Sequence, residues 1–115
     1  MLKVKKTDFE FADDRGTLVQ LIHEGYRQIN VITSKKGVFR GGHYHKENEE
    51  AFYIISGSLK VVVDGTEYCF SAGDFFGIEA NDMHSFYFLE DTVLVSMYSN
   101  GVEKENGEKD IYSGE

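Results

Sequence analysis

The stretch GVFRGGHYHKENEEAFYIISG, from Gly37 to Gly57, carries two histidines one residue apart, His43 and His45, and places Glu50 at the head of an apolar run. Successive side chains of an extended strand point to opposite faces, so both imidazoles project from the same one. Ala51 to Ile55 is too short for a core helix and suits a pleated surface, so it reads as a strand. Neutral imidazoles and a carboxylate are ligands for divalent transition ions. Two histidines alone, however, fit exposed loop positions equally well.

Outward from this stretch the chain reads as further strands. No window keeps apolar residues at helical spacing for the length a helix needs. With no proline, the turns fall to glycine, Asn and Asp. Strands are expected at Leu18 to Ile22, Ile29 to Thr33, Ala51 to Ile55, Leu59 to Val63, Glu67 to Phe70, Ser85 to Leu89 and Val93 to Tyr98. In Leu59 to Val63, residues Leu59, Val61 and Val63 share a face and Lys60 takes the other. Asp64-Gly65 follows, a dipeptide suited to a tight hairpin. Many short strands in this rhythm predict an all-β sandwich or barrel that hides its edges by closing.

Length and composition set the limits. The 115 residues fit one domain, read as 1–115, with a barrel core at about residues 9–100 and a polar, solvated tail at 101–115. A 41% share of hydrophobic residues is enough for a packed core. The formal charge of −8 argues against a nucleic-acid surface, though a few arginines in a cleft could still hold a small anion. No apolar run approaches membrane-spanning length, and Met1 to Lys6 does not read as a secretory signal. Cys69 is the sole cysteine, so no internal disulfide can form and a cytoplasmic location is expected. Within a strand, Cys69 is expected to be a small buried hydrophobe.

Two more histidines complete the inventory. His84 precedes the strand from Ser85, and His23 stands alone in a turn. The grid Gly37, His43, His45, Glu50, Gly57 resembles the first cupin motif at every anchor, and Gly73 with His84 is similar to the second. Glu79 stands where cupins usually carry proline, Asn81 where they carry glycine, and Phe88 where Asn is frequent. Asn at position 81 tolerates the positive φ a turn there requires. This resemblance implies a single cupin jelly roll with one divalent transition ion (Zn, Fe, Mn, Ni or Cu) on His43, His45, Glu50 and His84. On an octahedral ion such a set leaves two positions open; a tetrahedral zinc would be nearly closed.

A narrower resemblance covers about Phe9 to Tyr112. Asp13-Asp14-Arg15-Gly16 resembles the opening segment of sugar 3,5-epimerases and 3,4-ketoisomerases. Arg40-Gly41-Gly42-His43-Tyr44-His45-Lys46 is similar to a segment of the dTDP-4-keto-6-deoxyhexose 3,4-ketoisomerases. Asn48-Glu49-Glu50-Ala51-Phe52 resembles the metal-binding C-terminal cupin domain of the capsular-polysaccharide reductase/epimerase. Lys109-Asp110-Ile111-Tyr112 is similar to the aspartate–tyrosine tail of both groups.

These likenesses imply an isomerase or epimerase of a nucleotide-linked keto-deoxy sugar, active in polysaccharide synthesis, and a homodimer. Arg15 and Arg40 become candidates for the diphosphate, whereas Arg27 reads as a surface residue. His43 and His45 serve as catalytic bases if the site is metal-free; with a metal, Tyr98, Tyr44 and Glu49 are the candidates. Two other functions fit the same residues: a small Fe(II)-dependent dioxygenase, and a non-enzymatic cupin that binds a small molecule or metal.

Overall fold

A computed structural model describes residues 1–103 and 106–113. Its strands are β1 (Leu2–Val4), β2 (Phe9–Asp13), β3 (Gly16–Gln20), β4 (Gln28–Ser34), β5 (Phe39–Tyr44), β6 (Glu50–Ser56), β7 (Ser58–Val63), β8 (Thr66–Ser71), β9 (Phe75–Ile78), β10 (His84–Phe88), β11 (Thr92–Tyr98) and β12 (Tyr112–Ser113). No helix occurs among the described residues, in line with the missing helical period.

Two five-stranded antiparallel sheets face each other, ordered β1-β9-β6-β11-β4 and β12-β5-β10-β7-β8. They form the expected all-β jelly roll. Strands β2 and β3 make a separate two-stranded ribbon. The Asp64-Gly65 hairpin is present: Val63 pairs with Thr66, and both turn residues have positive φ, 47° and 83°. Asn81 likewise sits at φ 71°, the conformation its place in the turn demands.

The core follows from alternation. Leu59, Val61 and Val63 of β7 are buried, as are Phe86 and Phe88 of β10. They meet Phe52, Ile54, Phe76, Ile78 and Leu94 from the opposite sheet. Fully burying each such side chain is worth about 1.5–3 kcal/mol before entropy is counted. A smaller cluster of Ala51, Phe75 and Met97 lies under Leu21, Ile22 and Tyr26, outside the main core.

Three expectations need correction. Cys69 is exposed, not buried. In β8 its neighbours Tyr68 and Phe70 pack against the core, so alternation turns Cys69 outward beside Lys60. The second strand of the ribbon spans Gly16–Gln20, two residues before the expected Leu18 to Ile22, and Leu21 and Ile22 cover the small cluster instead. The tail does not simply float in solvent. Val102 and Asp110 are buried, and Tyr112–Ser113 pairs with β5.

Candidate metal centre

Four strands meet at one end of the jelly roll. His43 lies near the end of β5, and His45 just beyond it. Glu50 opens β6, His84 opens β10, and Tyr98 closes β11. Register makes the convergence: His84 pairs with His43 within one sheet, and Tyr98 with Glu50 within the other. Gly41 lets β5 and β10 come close, since a Cβ there would stand 2.7 Å from the His84 carbonyl oxygen.

One ligand atom from each of His43, His45, Glu50 and His84 lies within 4.8 Å of the others. His45, Glu50 and His84 are 2–3% exposed, and His43 is half-buried at the cavity side. His45 Nε2 stands 2.5 Å from Glu50 Oε1, and His84 Nε2 stands 3.2 Å from it. Yet His45 Nε2 and Glu50 Oε1 lack an aligned hydrogen bond although both are buried. Burying polar atoms in this way is costly unless another partner satisfies them. A divalent ion among the four groups fits that arrangement and the chemistry of the donors.

The electrostatics suit the same use. Burial, aided by the neighbouring His84 and His45, lowers the pKa of His43 and keeps its ring neutral. Burial would raise the Glu50 carboxyl, but the close imidazoles of His45 and His84 hold it down at about 2. Burial opposes a charge on His45, but the Glu50 carboxylate and the Asp110 carbonyl outweigh it and raise its pKa. Tyr98 is pushed above the usual phenol value by burial and by the Glu50 charge.

A cavity of about 170 Å³ opens beside the cluster between Ile32, Phe52 and Phe86. His43, Glu50, His84 and Tyr98 line it, with Arg40 at its edge. Arg40 is exposed and donates from Nε to Ser34 Oγ at 2.8 Å. Arg15 is elsewhere. It sits between β2 and β3, 82% exposed at the side chain, and pairs with Asp13. Tyr44 stacks on Tyr112, and exposed Glu49 accepts from Tyr26, so neither lines the cavity. His23 pairs with Asp8 on the surface.

Two functional supports were not singled out from sequence, Asn48 and Asp110. Both are almost fully buried beside His45. Each fell within a segment read as a family likeness, Asn48-Glu49-Glu50-Ala51-Phe52 and Lys109-Asp110-Ile111-Tyr112, and not as part of the site.

The family model described as a cupin domain matches residues 30–98. The chain is 39% identical over 61 residues to quercetin 2,3-dioxygenase of Bacillus subtilis (strain 168), covering 51% of this chain and 18% of that protein. It is 38% identical over 50 residues to UDP-2-acetamido-2,6-beta-L-arabino-hexul-4-ose reductase of Pseudomonas aeruginosa, covering 43% and 13%. The chain thus spans less than a fifth of either relative. In structure it resembles a 3,4-ketoisomerase from Helicobacter canadensis, with a TM-score of 0.78 and 24% identity, covering 92% of this chain and 87% of that one. At that identity the likeness establishes the fold. With the matched region running from β4 to the end of β11 and holding all four clustered ligand residues, the chain belongs to the cupin family.

Proposed function

We propose that this protein is a metal-dependent cupin that moves a proton beside the carbonyl of a nucleotide-linked keto-deoxy sugar. One observation carries the reading: Tyr98 lines the same cavity as His43, Glu50 and His84. His43, His45, Glu50 and His84 would hold one divalent transition ion. Such an ion supplies polarisation of a carbonyl oxygen and stabilises the negative charge that grows there.

Tyr98 then handles the proton. Its hydroxyl, kept protonated by its raised pKa, gives its proton to the carbonyl oxygen. The phenolate so formed takes the proton from the neighbouring carbon, so that the phenol is restored and the sugar becomes the enediol. His43 and His45, when occupied as ligands, are not free bases; without an ion, His43 is the neutral ring facing the cavity. Arg40 at the cavity edge offers a planar fork for a diphosphate. Arg15 is the second candidate, and from the ribbon it would reach only a part of the ligand lying outside the cavity.

Support comes from the UDP-linked hexul-4-ose named for one relative and from the ketoisomerase-like fold. The whole chain is read as one domain acting in the cytoplasm, in polysaccharide synthesis. No helix among the described residues is long and apolar enough to cross a membrane. A homodimer is part of the proposal.

The test is exchange. Incubated in deuterated water with a panel of nucleotide-linked keto sugars, the protein should speed deuterium uptake at the carbon next to the keto group. No acceleration across the panel removes the reading. A dioxygenase is the second reading, favoured by the three-histidine, one-glutamate set and the likeness to quercetin 2,3-dioxygenase. Oxygen uptake by the Fe(II)-loaded protein would select it.

A further inference from the structure

Each histidine of the cluster must keep one ring nitrogen free to face the shared centre, and this depends on what holds the other nitrogen. For two rings the holder is local. His84 Nδ1 meets the Asp82 carbonyl at 3.1 Å, and the His43 ring has the Gly41 backbone beside it. Both partners lie two residues earlier, so the folded strand brings them along. His45 is different. Its Nδ1 lies 2.5 Å from the carbonyl oxygen of Asp110, 65 residues away.

Asp110 also holds the peptide that follows His45. Its carboxylate accepts from Lys46 N at 2.9 Å, Glu47 N at 2.8 Å and Asn48 Nδ2 at 2.8 Å. The residue is 0% exposed. Asn48, 1% exposed, ties the arrangement to the start of the tail. Its Nδ2 donates to Gly101 O, and its Oδ1 accepts from Asn100 N and Gly101 N, all at 2.9 Å.

We propose that Asp110 is the positioning residue of the metal centre, fixing His45 as the Nδ1–H tautomer with Nε2 facing Glu50. Carbonyl and carboxylate act together. The carboxylate locks the loop after His45, and that lock places the carbonyl under the ring. The tail after Gly101 is thereby a working part of the site. Removing the carboxylate leaves two part-buried amides and the buried Asn48 Nδ2 without this acceptor, and the loop and ring lose their reference. The proposal rests on the metal-centre reading above.

Two measurements on the 115-residue chain test it separately. Long-range nitrogen–proton correlation spectra of the metal-free protein, taken where the ring is neutral, report the His45 tautomer. The wild type should show Nδ1–H, and Asp110→Ala a mixture of tautomers. Chelator competition gives the Zn²⁺ dissociation constant at a temperature where circular dichroism shows both proteins folded. Asp110→Ala should bind about 10- to 100-fold more weakly. Asp110→Asn, which keeps one acceptor oxygen, should recover part of the loss, and Asp14→Ala should match the wild type.

Zn²⁺ affinity within about twofold of wild type in folded Asp110→Ala would overturn the proposal, given the loss expected on removing such a support. So would an Nε2–H tautomer in the wild type, a result available even if Asp110→Ala does not fold. A wild type that binds no Zn²⁺ at all would instead overturn the metal-centre reading, and the tautomer comparison would still decide the role of Asp110.

Discussion

Glu50 and Tyr98 stand directly opposite each other across the β6–β11 pair, and the carboxylate charge joins burial in holding the phenol protonated. This places a proton-bearing group against a ligand of the candidate centre, inside the same cavity. Tyr98→Phe keeps the ring and its edge-on contact with His45 while removing the hydroxyl. Zn²⁺ affinity should therefore be retained. Deuterium exchange into a keto-sugar nucleotide should fall by about 10²-fold or more, the usual worth of a positioned acid or base. Equal exchange in the two proteins would take Tyr98 out of the reaction.

Ligand replacement separates the four clustered residues from surface histidine. His45→Ala removes a buried nitrogen of the cluster, so metal content after purification should drop from about one ion per chain toward none. His23→Ala alters only an exposed pair with Asp8 and should leave metal content unchanged. Metal analysis of both variants checks this. The same loss in both, or in neither, would remove the assignment.

Much of this site was legible because the spacing of its residues along the chain is itself the signal. Gly37, His43, His45, Glu50 and Gly57 lie in one segment, which folds back on itself as β5, a short loop and β6. The strands read from sequence were those with apolar alternation, β7 and β11 above all. Strand β5 was not, because Arg40, Gly41, Gly42 and His43 carry no apolar period; its strand character comes from pairing with β10. Asp110 was hidden for a different reason. A buried carboxylate is written in the sequence as an ordinary tail residue, and the amides that justify its burial lie more than 60 residues away. Arg15 shows the reverse case. Its motif resembles a ligand-binding segment, but the arginine rests on the ribbon against Asp13, away from the cavity.

The pH dependence of the metal-free protein follows from the same groups. Glu50 sits at about 2 against an ordinary 4.5, so its contribution to stability is complete above 4.5 and is lost as the pH falls toward 2. The His45 value is raised above 6.5, so its contribution is complete below 6.5 and fades as the pH climbs through the raised value. For His43, lowered by burial, the contribution is complete above 6.5 and fades on acidification. The histidines oppose each other near neutrality, which leaves the lowered buried carboxyls, Glu50 and Asp110, to govern the acid limb. Melting temperature should fall between pH 4.5 and 2, and Glu50→Gln should flatten that fall. Bound metal should be released at higher pH than this, as protons displace it from the imidazoles. Thermal melts with and without Zn²⁺ over this range check both statements.

Gly41 links backbone packing to the site. Its φ is +120°, and an added Cβ would lie 2.7 Å from both the His84 carbonyl oxygen and Ser85 Cα. These are backbone atoms and cannot rotate aside. Gly41→Ala should cost about 1–3 kcal/mol for the backbone conformation alone. It should also force β5 from β10 at the point where His43 and His84 pair. Zn²⁺ affinity should fall together with melting temperature. Gly65→Ala, in the open turn with nothing within 4 Å of the new Cβ, should lower stability but leave the affinity unchanged. A Gly41→Ala protein with wild-type affinity would mean that the close approach of the strands does not set the ligand geometry.

The ribbon and the sheet edge supply the last prediction, on assembly. Phe9 and Phe11 of β2 and Leu18 of β3 share one ribbon face, because Phe11 pairs with Leu18 and side chains alternate along each strand. They are 50%, 53% and 54% exposed. Ile29 and Val31 project from β4, the edge strand of its sheet, at 64% and 67% exposed. A lone two-stranded ribbon is marginal in water, and an apolar edge strand invites pairing with another chain. A second copy would answer both needs by covering the ribbon face and the edge. Sedimentation equilibrium should therefore give a mass twice that of one chain. Joint replacement Phe11→Asp and Leu18→Asp should give the single-chain mass with the β-type circular dichroism retained, because neither residue belongs to the main core. A wild type that sediments as a monomer at high concentration would end the dimer proposal and leave the exposed ribbon face to some other partner.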